Sequence, residues 1–154
     1  MKKKVNGKTV QYHLMWSPVY PYDKHEASRI LPELPGIICI LETKPRQVQN
    51  GIFFFSCWRD GLRVGLRNLF DPMFSKIPDF NDKIKNRILS YKYSVVETNM
   101  DDMDDIIFWL TSVYKPEFNN TQEFKDSGRY KFIQINELKR KNSDYIEKFP
   151  PYIR

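Results

Sequence analysis

The fold of this chain is decided by two apolar runs, Ile37-Ile38-Cys39-Ile40-Leu41 and Ile52-Phe53-Phe54-Phe55-Ser56-Cys57. Pro35-Gly36 precedes the first run, and a polar loop that contains Pro45 joins it to the second. Two short runs of β-branched and aromatic residues around such a loop predict an antiparallel pair of strands. Because neither run alternates with polar residues, we expect both strands to be central and buried on both faces.

The segments on either side predict a mixture of further strands and helices. Alternation of apolar and polar residues predicts strands, and apolar residues three and four apart predict helices. We predict strands over 9–16, 91–97 and 130–135, and helices over 23–31, 59–70, 79–89, 101–114 and from Asn136 to 148. Asp23 and Asn136 are the expected N-caps of two of these helices. Gly61 and Gly65 weaken the helix over 59–70 by roughly 1 kcal/mol each relative to Ala, which predicts a close neighbour at their side. The fold class is therefore α+β.

Composition favours one globular domain over residues 1–154 and excludes several classes of protein. Hydrophobic residues make up 41% of the chain, which excludes a mostly disordered protein. No apolar run approaches the ~20 residues of a membrane helix, so we expect no membrane partner. Two cysteines give neither a disulfide framework nor metal-ligand spacing, which predicts a reducing, cytoplasmic setting. A net charge of +6 permits a nucleic-acid partner.

Three motifs stand at the ends of the predicted elements between residues 34 and 119. They are Leu34-Pro35-Gly36-Ile37-Ile38, Phe55-Ser56-Cys57, and Lys115-Pro116-Glu117-Phe118-Asn119. Together with the order of the elements, these motifs resemble the GIY-YIG nuclease domain. The resemblance covers a little over half of the chain. It implies a small antiparallel sheet flanked by helices, with residues 34–119 as the core and 1–33 and 120–154 as extensions.

The resemblance also implies which positions belong to the catalytic site of the family. Its two tyrosines fall on Ile38 and Phe55, its arginine on Gly65, its metal-binding glutamate on Ile107, and its asparagine on Asn119. Isoleucine and phenylalanine neither donate nor accept a proton. The polar set is therefore replaced except at Asn119, and we expect a catalytically degenerate relative that needs no cofactor.

Basic residues supply the expected contacts to a phosphate backbone. Arg59, Arg63 and Arg67 follow four apart on one predicted helix, and guanidinium groups suit phosphate oxygens. Lys83, Arg87 and Asn119 complete the predicted nucleic-acid-binding set, and DNA is favoured over RNA as the partner. The alternative interpretation of the arginines is an ordinary solvated helix face.

Two other functions stay open at this stage. A divergent nuclease would place its chemistry on Asp104, Asp105 or Tyr93, and would need Mg²⁺ or a similar cation at the carboxylates. The alternative interpretation of these carboxylates is an acidic first turn that faces the positive end of a helix. A protein-interaction module, in which the positive charge is incidental, is the other possibility.

Overall fold

Two four-stranded sheets organise the protein in a computed structural model that describes residues 1–119, 125–140 and 146–147. The strands are β1 (Lys2–Asn6), β2 (Thr9–Trp16), β3 (Tyr20–Pro21), β4 (Gly36–Lys44), β5 (Val48–Cys57), β6 (Ile88–Val95), β7 (Phe132–Arg140) and β8 (Ile146–Glu147). The helices are α1 (Lys24–Ile30), α2 (Gly61–Leu69), α3 (Phe80–Lys83) and α4 (Met100–Tyr114), with 3-10 turns at Pro45–Gln47 and Glu117–Asn119. The predicted α+β class is confirmed.

The central sheet is antiparallel, with strand order β3-β6-β4-β5. The predicted pairing of the two apolar runs is confirmed, because Ile38 on β4 lies opposite Phe55 on β5. On its other side β4 pairs with β6, where Ile38 meets Tyr93. Strand β5 is the edge strand, although its sequence predicts a central one. This edge is covered by the 3-10 turn at Glu117–Asn119.

Alternation along β4 divides the core between the two faces of this sheet. Ile38 and Ile40 point to the face covered by α1 and α2, where Leu62 packs against them. Ile37 and Cys39 point to the opposite face, which is covered by α4 and by the second sheet. Both faces of β4 are therefore buried, as the absence of polar residues predicts.

The second sheet has strand order β1-β2-β7-β8, and β2 and β7 run parallel. The predicted helix that begins at Asn136 is wrong, because β7 continues through Asn136 to Arg140. Residue-by-residue pairing with β2, from Thr9 against Phe132 to Trp16 against Lys139, overrides the local preference. The remainder of that predicted helix, at 141–145 and 148, lies outside the described residues.

The predicted helix over 79–89 is also wrong. Only Phe80–Lys83 is helical, and Asn86 has a φ of 67°, in the left-handed region that ends a right-handed helix. Ile88 and Leu89 instead begin β6, since they pair with β4 opposite Thr43 and Glu42. Pairing with a central strand decides their conformation.

The other predicted helices are confirmed with small changes in their ends. The carboxylate of Asp23 accepts hydrogen bonds from the backbone N–H groups of His25 and Glu26, as an N-cap does. Helix α2 begins at Gly61, so Arg59 precedes it. A Cβ on Gly65 would lie 2.2 Å from Sγ of Cys57, which confirms the predicted close neighbour there. At Gly61 the nearest atom is the carbonyl oxygen of Leu34 at 3.4 Å, an ordinary contact, and the φ of 84° rather than a close neighbour favours glycine.

Within the described ranges, no helix has both the length and the apolar character to cross a membrane.

A buried carboxylate on α4 ties this helix to the second sheet. Oδ1 of Asp102 accepts hydrogen bonds from Lys3 Nζ at 2.8 Å, Tyr12 Oη at 2.7 Å and Arg129 Nη2 at 2.9 Å. Oδ2 accepts one from Thr98. Burial acts to raise the pKa of Asp102, but these hydrogen bonds together hold it below its usual value.

We predict that Asp102→Asn lowers the free energy of unfolding by about 3 kcal/mol at neutral pH, because a buried ion pair loses one partner. Since the folded-state pKa is depressed, the wild-type stabilisation is present above about pH 4 and is lost as the pH falls further. Chemical denaturation as a function of pH measures both effects.

The matched control is Asp101→Asn, on the same helical turn but exposed. It should change stability by less than about 1 kcal/mol. Equal effects of the two variants would contradict the structural role of Asp102.

Candidate functional site

A groove runs along the edge strand β5 of the central sheet. Two adjoining cavities of about 620 and 400 Å³ share Phe55, Ser56 and Lys76 in their walls. One extends past Ile107 and Phe118, and the other extends past Trp58 toward α2. We call the combined cavity the β5 groove.

The positions that the resemblance assigns to catalysis converge on this groove. Phe55, Gly65 and Ile107 line it. Ile38 is fully buried beneath it, paired with Phe55 across the two strands. Phe55 and Ile107 are only 5% and 6% exposed, so both belong to the core as well as to the groove wall. The floor is therefore apolar, and these residues offer no group for proton transfer.

Asn119 lies behind the groove wall rather than in the groove. Its side-chain amide donates a hydrogen bond to the carbonyl of Phe54 at 2.9 Å and accepts one from the Phe54 N–H at 2.8 Å. The residue is buried, and both ends of its amide are occupied. It satisfies backbone groups that an edge strand otherwise leaves unpaired. Its amide therefore serves the strand edge and is not directed at a ligand.

Four basic side chains surround the groove, namely Arg59, Lys76, Lys83 and Lys125. None of them forms an ion pair with a carboxylate among the described residues. Lys76 is held in place, because its Nζ donates to the carbonyl of Ser56 at 3.2 Å and lies 5.8 Å from the Phe55 ring centroid. Asp60 and Asp104 also line the groove, as does Glu117, which pairs with Arg87.

The sequence predicts Arg59 and Lys83 as members of this set but not Lys76 or Lys125. Lys76 lies in the loop between α2 and α3, and Lys125 lies in the segment that precedes β7. Because neither segment is a regular helix or strand, no periodic pattern marks these two lysines. The one sequence feature that could have pointed to Lys76 is its position shortly before α3, which carries Lys83. Their convergence depends on the tertiary fold.

The other predicted basic residues lie elsewhere. Arg63 bonds to the carbonyl of Leu31 at 3.1 Å and pairs with Glu33 at 2.7 Å, so it ties α2 to the segment after α1. Arg67 is exposed and lines a separate cavity between α1 and α2 together with Arg63. Arg87 pairs with Glu42 and Glu117. The three arginines at 59, 63 and 67 therefore do not form one continuous surface.

The residues of the nuclease alternative are not brought together. Both carboxylate oxygens of Asp105 accept hydrogen bonds from Ser127, and Oδ2 also accepts one from Arg129. Tyr93 packs on the α1 and α2 side of the sheet, stacked on Tyr20 at 6.5 Å. Asp104 lines the groove, and burial together with Asp101 and Asp105 raises its pKa above the usual value.

The carboxylates that line the groove are not gathered into a set of metal ligands. Ile107 stands where the resemblance places a metal-binding glutamate, and Glu117 is paired with Arg87. Asp60 and Asp104 line different cavities of the groove, and the pKa of Asp104 is raised. Within residues 1–119, 125–140 and 146–147, no group of three or more His, Cys, Asp or Glu side chains is arranged to hold a metal ion.

A family model described as "Uncharacterised protein" matches residues 1–152, and the chain belongs to this family. No curated protein and no solved structure matches the chain.

We predict that Asn119→Ala lowers the free energy of unfolding by about 2–3 kcal/mol, because two buried backbone groups of Phe54 lose their partner. Hydrogen exchange at the Phe54 amide should accelerate in the variant, and this readout locates the effect at the strand edge. Asn50→Ala, at an exposed position of the same strand, is the matched control and should leave that exchange rate unchanged. Unchanged exchange in Asn119→Ala would refute the bridging role.

Proposed function

We propose that the protein binds nucleic acid in the β5 groove, as a GIY-YIG-like domain whose catalytic positions have lost their reactive side chains. One observation carries this proposal. The replaced family positions Phe55, Gly65 and Ile107 meet at a groove whose basic side chains have no carboxylate partners among the described residues. Unpaired cations suit the phosphates of a nucleic acid, and an apolar groove suits its flat bases.

Each part of the groove has a distinct role in the proposed binding. Lys76, Lys83, Lys125 and Arg59 neutralise phosphates, and this contribution does not depend on base sequence. Phe74 is 62% exposed at the lip of the groove, where its ring is available to stack on a base. No residue is assigned to bond cleavage, because the groove floor holds apolar side chains.

We also propose a cytoplasmic setting with DNA as the first partner to test. Cys39 and Cys57 are both free and buried, as is usual in a reducing compartment. Burial raises the pKa of each thiol to about 12, so both remain protonated at neutral pH.

The binding experiment is a titration of labelled single-stranded DNA, duplex DNA and RNA at several salt concentrations. We predict that Lys76→Ala combined with Lys83→Ala weakens binding about tenfold at moderate salt. The slope of log affinity against log salt should fall by about two, one unit for each lost phosphate contact. Similar losses on all sequences are expected, because the contacts are to the backbone.

The matched control combines Lys24→Ala with Arg67→Ala, which removes the same charge from the cavity between α1 and α2. This pair should leave affinity within about twofold of wild type. If it weakens binding more than the Lys76 and Lys83 pair does, the interface lies between α1 and α2 and the β5 groove is excluded.

The same titration with Mg²⁺ or Mn²⁺, followed by a denaturing gel, separates binding from cleavage. Intact strands are expected throughout. Metal-dependent nicking that Asp104→Asn abolishes would overturn the degenerate site and establish the divergent nuclease.

An exposed apolar patch favours a second candidate, a protein partner. Met73, Phe74 and Met100 are 86%, 62% and 49% exposed, and the latter two line the same end of the groove. Exposed apolar patches commonly mark protein contacts. A complex with another protein that resists salt and is lost in Phe74→Ser, together with no retention of any nucleic acid, would establish this candidate instead.

A further inference from the structure

Another cavity lies between the two sheets, and it shares only Phe54 and Glu117 with the lining of the β5 groove. This inter-sheet cleft has a volume of about 830 Å³, within the range of small-molecule sites. The central sheet supplies Leu41, Phe54 and Lys92 to its walls, and the second sheet supplies Trp16 and Glu137. None of the lysines of the β5 groove lines the cleft.

Lys92 is the most informative residue of the inter-sheet cleft. It lies opposite Cys39 in the pairing of β4 and β6, so its side chain points to the face of the sheet that the second sheet covers. Its Nζ lies 4.7 Å from the ring centroid of Trp16, and the residue is half-buried. A partly desolvated ammonium is costly without a compensating negative group.

The nearby carboxylate of Glu137 is not paired directly with Lys92. Oε1 of Glu137 accepts a hydrogen bond from Trp16 Nε1 at 2.8 Å, and Oε2 accepts one from the Tyr114 hydroxyl. Lys92 forms no ion pair with Glu137 or with any other carboxylate of the described residues. The ammonium is therefore available to a ligand.

Further ammonium groups surround the same cleft. Lys44, Lys115 and Lys139 line it, and none of them has an ion-pair partner among the described residues. The other acidic residues of the lining, Glu42 and Glu117, are paired with Arg87. The four lysines of the lining together with Arg87 exceed Glu42, Glu117 and Glu137 by two charges, and this positive excess favours an anion.

The walls between these charges are apolar and aromatic. Phe54 contacts Trp16 at 6.2 Å and Tyr114 at 5.4 Å between ring centroids. Val19 and Leu41 extend this surface. An apolar wall beside several ammonium groups suits a molecule with a planar ring and a multiply charged group, and phosphate carries more charge than a single carboxylate.

We propose that the inter-sheet cleft binds a small phosphorylated molecule with a planar ring, of the mononucleotide class, with Lys92 contacting the phosphate. Lys44, Lys115 and Lys139 neutralise the remaining charge from the rim, and the ring packs on the apolar wall around Leu41 and Phe54. The site does not depend on nucleic acid binding in the β5 groove.

Calorimetric titration of the full chain with AMP, adenosine and inorganic phosphate tests the proposal. AMP should bind with one site per chain, and adenosine and phosphate should each bind at least about tenfold more weakly, because each lacks half of the contacts. Adenosine that binds as tightly as AMP would overturn the phosphate contact. Absence of AMP binding at millimolar concentration would overturn the site.

Variants then locate the bound molecule. Lys92→Met, which keeps the apolar stem over Trp16, should weaken AMP binding at least about tenfold, and Lys92→Arg should restore most of the affinity. Lys139→Met, at an exposed rim position that poses no risk to folding, should weaken it to a smaller extent. Lys83→Met, in the β5 groove, is the matched control and should leave AMP binding unchanged. Equal losses in Lys83→Met and Lys92→Met would refute the location.

Discussion

Burial of both faces of strand β4 is the constraint on which the rest of the structure depends. Ile38 and Ile40 need an apolar cover on one face, while Ile37 and Cys39 need one on the other. Helices α1 and α2 supply the first cover, and α4 with the second sheet supplies the other. The first residue of β4 is also closely packed against β6, since a Cβ on Gly36 would lie 2.2 Å from the carbonyl oxygen of Ser94.

Local patterns predicted helices α1, α2 and α4 and strands β2, β4 and β5, but not β1 or the part of β7 beyond Ile135. The alternation of Thr9 to Trp16 predicted β2 with its bounds, and Asp23 predicted the start of α1. By contrast, the lysines of β1 carry no strand pattern, since all five of its residues are exposed. Strand β1 forms through its pairing with β2 and through Lys3, which reaches the buried carboxylate of Asp102. A contact between residues 99 positions apart leaves no periodic signal in the sequence.

The candidate site was predicted in part, for a similar reason. The motifs placed Phe55, Gly65 and Ile107, and the structure brings these three positions to one groove. The basic residues were less predictable, because a count of charges cannot distinguish Arg63, which pairs with Glu33, from Lys76, which has no ion-pair partner among the described residues. Asn119 is the opposite case, since the resemblance assigns this polar residue to the site, but its side chain pairs with the backbone of Phe54.

The composition of the groove floor has a consequence for the proposed loss of catalysis. Phe55 stacks on Phe53 at 5.0 Å, and Ile38 is fully buried beneath it, so apolar side chains at these positions stabilise the sheet. Gly65 has no room for a side chain, because Cys57 occupies the space that the stem of an arginine would need. Replacing single positions with the reactive residues of the family would therefore bury polar groups or create a steric clash. Under the proposed function, selection on this groove acts through the lysines and Arg59 at its rim, which are free to change without disturbing the core.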